Sequence, residues 1–224
     1  MIISSTTNTV RRSTAFMVVF VALVTAVVPV AAQVLWKPPK VSGSFPPGLK
    51  ASVPVELLTR SRVLDMTVHL DKTPMENVRA RFEATVGTEG DASEYFGWLC
   101  VQGLDAEGRW ALWFSHGEID GDNVSSFQWR RLAPDAKVDR RCPMLSSSAQ
   151  AIELPAAIKL GTAQDQVLRI LGRPTARRGN TLLYVHEHPD STQGQSYMSH
   201  NSVAIVFRGD IVDTIAVHKY KISP

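Results

Sequence analysis

The stretch "KLGTAQDQVLRILGRPT", residues 159–175, decides how this chain is read. Gly161 and Gly172 bracket an apolar-periodic run, and Pro174 lies just beyond it. A phosphate-binding loop requires glycines clustered within a few residues, or a closing Lys-Ser/Thr pair, and neither is present. Two glycines at opposite ends of a periodic segment are helix punctuation instead. Thr162 is the predicted N-cap, with Asp165 three residues on. Val167, Ile170 and Leu171 form the stripe to be buried, Gly172 fits a left-handed stop, and Pro174 forbids continuation.

The same spacing occurs earlier, in "DKTPMENVRARFEATVG", residues 71–87. Thr73 is the predicted N-cap, Pro74 the first helical residue, and Glu76 its capping-box partner. Met75, Val78 and Phe82 recur at helical intervals, and Gly87 is the predicted stop. Strand-like runs follow each helix: "EYFGWLCVQGL", "RWALWF" and "VSSFQWRRL" after the first, "NTLLYVHEH", "SVAIVFRGDIV" and "DTIAVHKYKI" after the second. "WALWFSHGEID" also answers "VAIVFRGDIVD", with one extra residue in the first turn. The predicted class is α+β, as two tandem units over 62–133 and 154–224. Each is a helix packed on an antiparallel sheet of about three strands. A Pro-rich lead-in (33–61) precedes them, and a linker (134–153) joins them.

"IKLGTAQDQVLRILGRPT", "LLYVHE" and "VAIVFRGDIVDTI" together resemble the module of the BamE (SmpA/OmlA) outer-membrane assembly lipoproteins. "ALWFSHGEIDGDNVSSFQWRRL" resembles a strand ending of the secreted β-lactamase inhibitory protein, which holds the same module in duplicate. The likeness implies a protein-binding module without catalysis. The chain departs from both: no cysteine follows its N-terminal apolar run, and it holds a single cysteine pair.

Residues 1–32 read as a signal peptide. Arg11 and Arg12 precede the apolar "STAFMVVFVALVTAVVPV", and "VAA" at 30–32 places small residues before a cleavage point at Gln33. The predicted location is the periplasm, or outside the cell, with no stable membrane anchor after cleavage. Two of the 24 basic residues and none of the 21 acidic ones lie in that segment, so the remainder is nearly neutral. Such a balance gives no electrostatic footprint for nucleic acid. In an oxidising compartment the two cysteines, Cys100 and Cys142, form a predicted disulfide.

Candidate sites follow from residue type. Trp98, Trp110, Trp113 and Trp129 cluster with Phe127 in the first unit. The odd spacing of Trp110 and Trp113 sends them to opposite faces of a strand, so one is predicted to lie on the outer sheet face. Aromatic residues there are the usual anchors of a protein interface. The alternative is a metal-binding envelope protein or a metal-dependent enzyme. His186 and His188 share a strand face, and a hairpin through "PDSTQGQSYMSHN" would bring His200 beside them, giving three nitrogen ligands. "SHGEIDGDN" gathers His116, Glu118, Asp120 and Asp122 but lacks the length and closing Glu of an EF-hand, so it reads as a solvated turn. No nucleophile elbow occurs, and Ser146 to Ser148 sit in the linker. The expected function is non-enzymatic protein binding, as an envelope assembly factor or an inhibitor of a secreted enzyme. No cofactor and no catalytic residue are expected.

Overall fold

Runs rich in β-branched and aromatic residues dominate this chain, and the strands they form are long. In the computed structural model they include β4 (Phe96–Asp105), β5 (Gly108–Gly117), β6 (Ser126–Arg131), β9 (Thr181–Thr192), β10 (Gln195–Arg208) and β11 (Ile211–Ile222). Short edge strands, β3 (Gly87–Glu89) and β8 (Ala176–Arg178), flank them. All eight join one antiparallel sheet in the order β3-β4-β5-β6-β11-β10-β9-β8. A second sheet is built from β1 (Arg60–Val63), β2 (Met66–His69) and the two-residue β7 (Ile152–Glu153). The structure describes residues 34–40, 50, 52–53, 57–91, 95–117, 121–145, 152–154, 157–192 and 195–222. The signal-peptide reading of 1–32, Ser146 to Ser148, Glu118 and Asp120 lie outside the described residues.

The expectation of two separate helix-on-sheet units is therefore corrected, and with it the resemblance to BamE and the β-lactamase inhibitory protein. Among the described residues the chain is mostly β, with two short helices, α1 (Met75–Phe82) and α2 (Gln164–Leu171), of 8 residues each. Physically, β6 and β11 pair antiparallel from Ser126↔His218 to Arg130↔Thr214. The edges that two separate sheets would each expose are thus used on one another, which removes two open ladders of N–H and C=O groups.

Register makes the core contiguous across this seam. Leu99, Phe114, Phe127, Val217, Val203 and Tyr184 lie opposite one another in a single cross-strand row. Val101, Leu112, Trp129, Ile215, Ile205 and Leu182 form the next row on the same face. All twelve are buried, with Met75, Val78 and Phe82 of α1 and Val167 of α2 packed among them. Such side chains each contribute about 1.5–3 kcal/mol of transfer free energy.

Both helices begin differently from the predicted capping. Thr73 and Thr162 do not accept from a helix N–H; their Oγ1 atoms accept from the backbone N–H groups of His69 (2.9 Å) and Lys159 (3.0 Å). Instead the first helical N–H of α1, on Met75, donates to Asp122 O, and that of α2, on Gln164, donates to Asp210 O, both at 2.8 Å. The carbonyls belong to the turns that follow β5 and β10, so the sheet itself satisfies N–H groups a helix leaves unpaired. Gly172 does stop α2, with φ 75°. Gly87 does not stop α1, which ends at Glu83 in the left-handed region. Gly87 lies in β3 opposite Trp98, where an added Cβ would come within 2.5 Å of the indole.

Candidate functional site: a strap in an aromatic slot

The sheet face away from the helices carries a second, smaller core. Cys100 and Trp113 are direct cross-strand partners, with Trp98 two residues before Cys100 on the same face. The disulfide from Cys100 to Cys142, Cα–Cα 4.8 Å, draws the predicted linker across this face. Gln102 reinforces it: its side-chain Nε2 donates to Cys142 O at 2.8 Å, and its backbone N–H donates to Pro143 O at 3.0 Å. The linker thereby becomes a wall, with Ala136 and Val138 packed toward the tryptophans.

Into the notch between wall and sheet runs a strap, residues 34–37. Leu35 N–H donates to Lys137 O (2.8 Å), and Asp139 N–H returns a bond to Leu35 O (3.0 Å), a parallel strand-like bridge with Val138. The Trp36 carbonyl accepts from Trp113 Nε1 at 3.1 Å. The Trp36 ring meets Trp98 edge-on at 6.0 Å, and the Arg141 guanidinium lies over it at 4.2 Å. Lys37 sits over the rings of Phe96 and Trp98 and pairs with Glu89. Arg141 is aimed by Asp139, which accepts from its Nε (2.9 Å) and Nη2 (2.8 Å). Those bonds pull the Asp139 carboxyl down to about 2. Within this aromatic slot, the Trp98 Nε1 donor is buried with no hydrogen-bond partner. Beside the strap, an open depression of about 870 Å³ is lined by Val34, Arg109 and residues 136–141, which include Lys137, Arg140 and Arg141.

The structure separates the aromatic candidates by face. Trp110, Phe127 and Trp129 lie in the main core beneath the helices, and Trp98 and Trp113 lie in the slot. None of the five is more than 5% exposed, so the outer-face aromatics are covered by the chain's own strap rather than open to solvent. Sequence reasoning missed Trp36, Val138 and Arg141. The signal was "VLWK", an apolar tetrapeptide closed by a cation, ahead of prolines that drew the reading toward a flexible lead-in.

The histidines are not brought together. The predicted polar loop is largely strand, since β9 runs to Thr192 and β10 starts at Gln195. His186 and His188 share a face, with ring centroids 5.3 Å apart. His200 lies opposite Glu187, one residue out of phase with them, and so points to the other face. There its Nδ1 meets Glu187 Oε1 at 2.8 Å, and its ring lies 4.6 Å from Tyr220. Burial and the nearby Glu187 push the Tyr220 hydroxyl up from its ordinary pKa. Among the described residues, no group of three or more His, Cys, Asp or Glu side chains is placed to hold a metal ion. In the acidic turn, the His116 ring is buried and its Nδ1 lies 2.9 Å from Gly121 O, while the Asp122 carbonyl holds α1. Among the described residues, no helix is long and apolar enough to cross a membrane.

What the slot can do chemically is recognise an extended segment. It offers strand-type hydrogen bonds for a backbone, aromatic walls for a ring, and a cationic margin. No protein-family model matches the chain, and neither a curated protein nor a solved structure matches it.

Proposed function

We propose that the protein is a non-enzymatic protein-recognition module of an oxidising, extracytoplasmic compartment, acting as an envelope assembly factor or as an inhibitor of a secreted enzyme. Its recognition surface is the aromatic slot of Trp98 and Trp113. One observation carries the reading: the slot already holds an extended peptide segment, residues 34–37, by backbone bonds, ring contacts and a cation over an indole. Strand addition of this kind gives affinity through the backbone and specificity through side-chain pockets. A partner segment would displace the strap, place an aromatic ring against Trp98, and set acidic flanks against Arg109, Lys137 and Arg140. The disulfide supports an oxidising compartment, where such bonds persist.

The test locks the strap shut. Leu35→Cys with Val138→Cys joins the bridged pair by a second disulfide, reversible by mild reductant. Envelope extract is passed over the locked and unlocked proteins, and bound partners are mapped by cross-linking from position 138. Capture lost on locking, regained on reduction, and cross-linked at the slot supports the reading. Equal capture by both forms places recognition elsewhere on the molecule and sinks it.

A further inference from the structure

Past the apolar rows, the helix-bearing face of β9, β10 and β11 ends in two polar rows. In the first, Asn201 lies between His186 and Lys219; in the second, Ser199 lies between His188 and Lys221. All six side chains share one face, and direct cross-strand neighbours stand about 5 Å apart. Ser199 and Asn201 form a floor only 1% exposed. The rim is open, with the Lys221 side chain 33% exposed and that of Asp190 34%.

This floor carries polar atoms that the fold does not use. Asn201 Oδ1 accepts from Leu57 N–H at 2.8 Å, which fixes the amide orientation and turns its Nδ2 donor the other way. Asn201 Nδ2, Ser199 Oγ and His188 Nδ1 are all buried without a hydrogen-bond partner. Leaving a buried polar group unpaired is costly, so three on adjacent positions describe a surface shaped for something else. Two lysines line the β11 side, each near a carboxylate: Lys219 is 3.7 Å from Asp71 and Lys221 is 3.3 Å from Asp190. His186 is held in place through its Nδ1, 2.7 Å from Val53 O.

Amide N–H, hydroxyl and imidazole donors with two ammonium groups along one side match one ligand chemistry. We propose that this patch binds an oxyanion, a phosphate or carboxylate group, with Asn201 Nδ2, Ser199 Oγ and His188 Nδ1 donating to its oxygens. Lys221 supplies charge at the rim. A cation is disfavoured because the amide presents its nitrogen, and the adjacent carboxylates already face lysines.

The full chain is titrated with inorganic phosphate and, separately, with acetate, at constant ionic strength held by chloride. Backbone amide shifts of residues 186–188 and 199–201 are followed by NMR. Saturable shifts confined to these strands are expected in the millimolar range. Asn201→Asp keeps the acceptor for Leu57 and replaces the donor by a carboxylate, so it should abolish binding. Lys221→Met, on the solvent rim, should weaken it about tenfold, as loss of a charge-assisted contact does. Phosphate binding well above acetate identifies a phosphate source, and the reverse a carboxylate. Shifts that fail to saturate, or that persist unchanged in Lys221→Met, overturn the proposal even if Asn201→Asp does not fold. So does a crystal grown in phosphate that shows only an ordered water on Ser199 and Asn201.

Discussion

The indole nitrogen of Trp113, on the sheet, donates to the backbone carbonyl of Trp36, on the strap, at 3.1 Å. A residue near the start of the chain is thereby locked to a fully buried core side chain, on the face opposite the helices. The strap is part of the folded structure, and its removal has measurable consequences.

Trp36→Ala keeps that carbonyl but removes the ring between Trp98 and Arg141. The expected loss is about 2 kcal/mol, from an edge-on aromatic pair and a cation–π contact. Acrylamide quenching of the remaining tryptophans should rise, because Trp98 and Trp113 lose their cover. Quenching identical to the parent would mean the strap does not shield the slot.

Before reduction, the protein should show no free thiol. Breaking Cys100–Cys142 releases a loop with a sequence separation of 42 residues, which the chain-entropy model values at about 4 kcal/mol. Urea unfolding with and without reductant measures it. Because the wall is tethered through Cys142, reduction should also increase tryptophan quenching before the main sheet unfolds.

Gly87→Ala tests the contact between β3 and Trp98. The new methyl would meet the indole at 2.5 Å, and the ring cannot retreat without disturbing Phe96 and Trp36. A destabilisation of about 1–3 kcal/mol, read from the urea midpoint, is expected for such overpacking. The paired change Gly87→Ala with Trp98→Phe should recover part of it.

Tyr184 sets an alkaline limit. Burial pushes its hydroxyl up from 10.0 to about 12, and the same group donates to Gly172 O at 3.2 Å. An acid whose folded pKa is raised binds its proton more tightly when folded. Its contribution is therefore complete below pH 10, the unfolded value, and falls as pH rises toward about 12. Tyr184→Phe should flatten that part of the stability profile, by on the order of 2 kcal/mol. A profile of unchanged slope would exclude Tyr184 as its source.

Local features of this fold were legible in the sequence. Val78, Phe82 and Val167 face the core as their spacing predicts, whereas Ile170, placed in the same buried stripe, is 37% exposed; Trp110 and Trp113 part to opposite faces. The two cysteines pair as predicted. The seam was not legible, because alternation in Ser126–Arg131 and Thr214–His218 fixes which side is buried and says nothing about which strand lies beside it. The outer halves of β9 and β10 were hidden for another reason. Beyond the core both of their faces are largely polar, so "PDSTQGQSYMSHN" lacks the apolar alternation that marks a strand. At the site, the tryptophans were visible by type, but their occupant sat among prolines that argued for an unstructured lead-in.

The antiparallel pairing of β6 with β11 has a kinetic consequence. β11 comes last among the described strands, so β3 to β6 cannot complete their sheet until it has been made. Until then β6 presents an unpaired edge beside an apolar face, an arrangement open to intermolecular association. Folding that waits for so distant a contact is slow, because a long loop must close before the pairing rewards it. Truncating β11 should therefore do more than lose a strand: it should leave the N-terminal half prone to aggregate through the ladder that β11 would have closed.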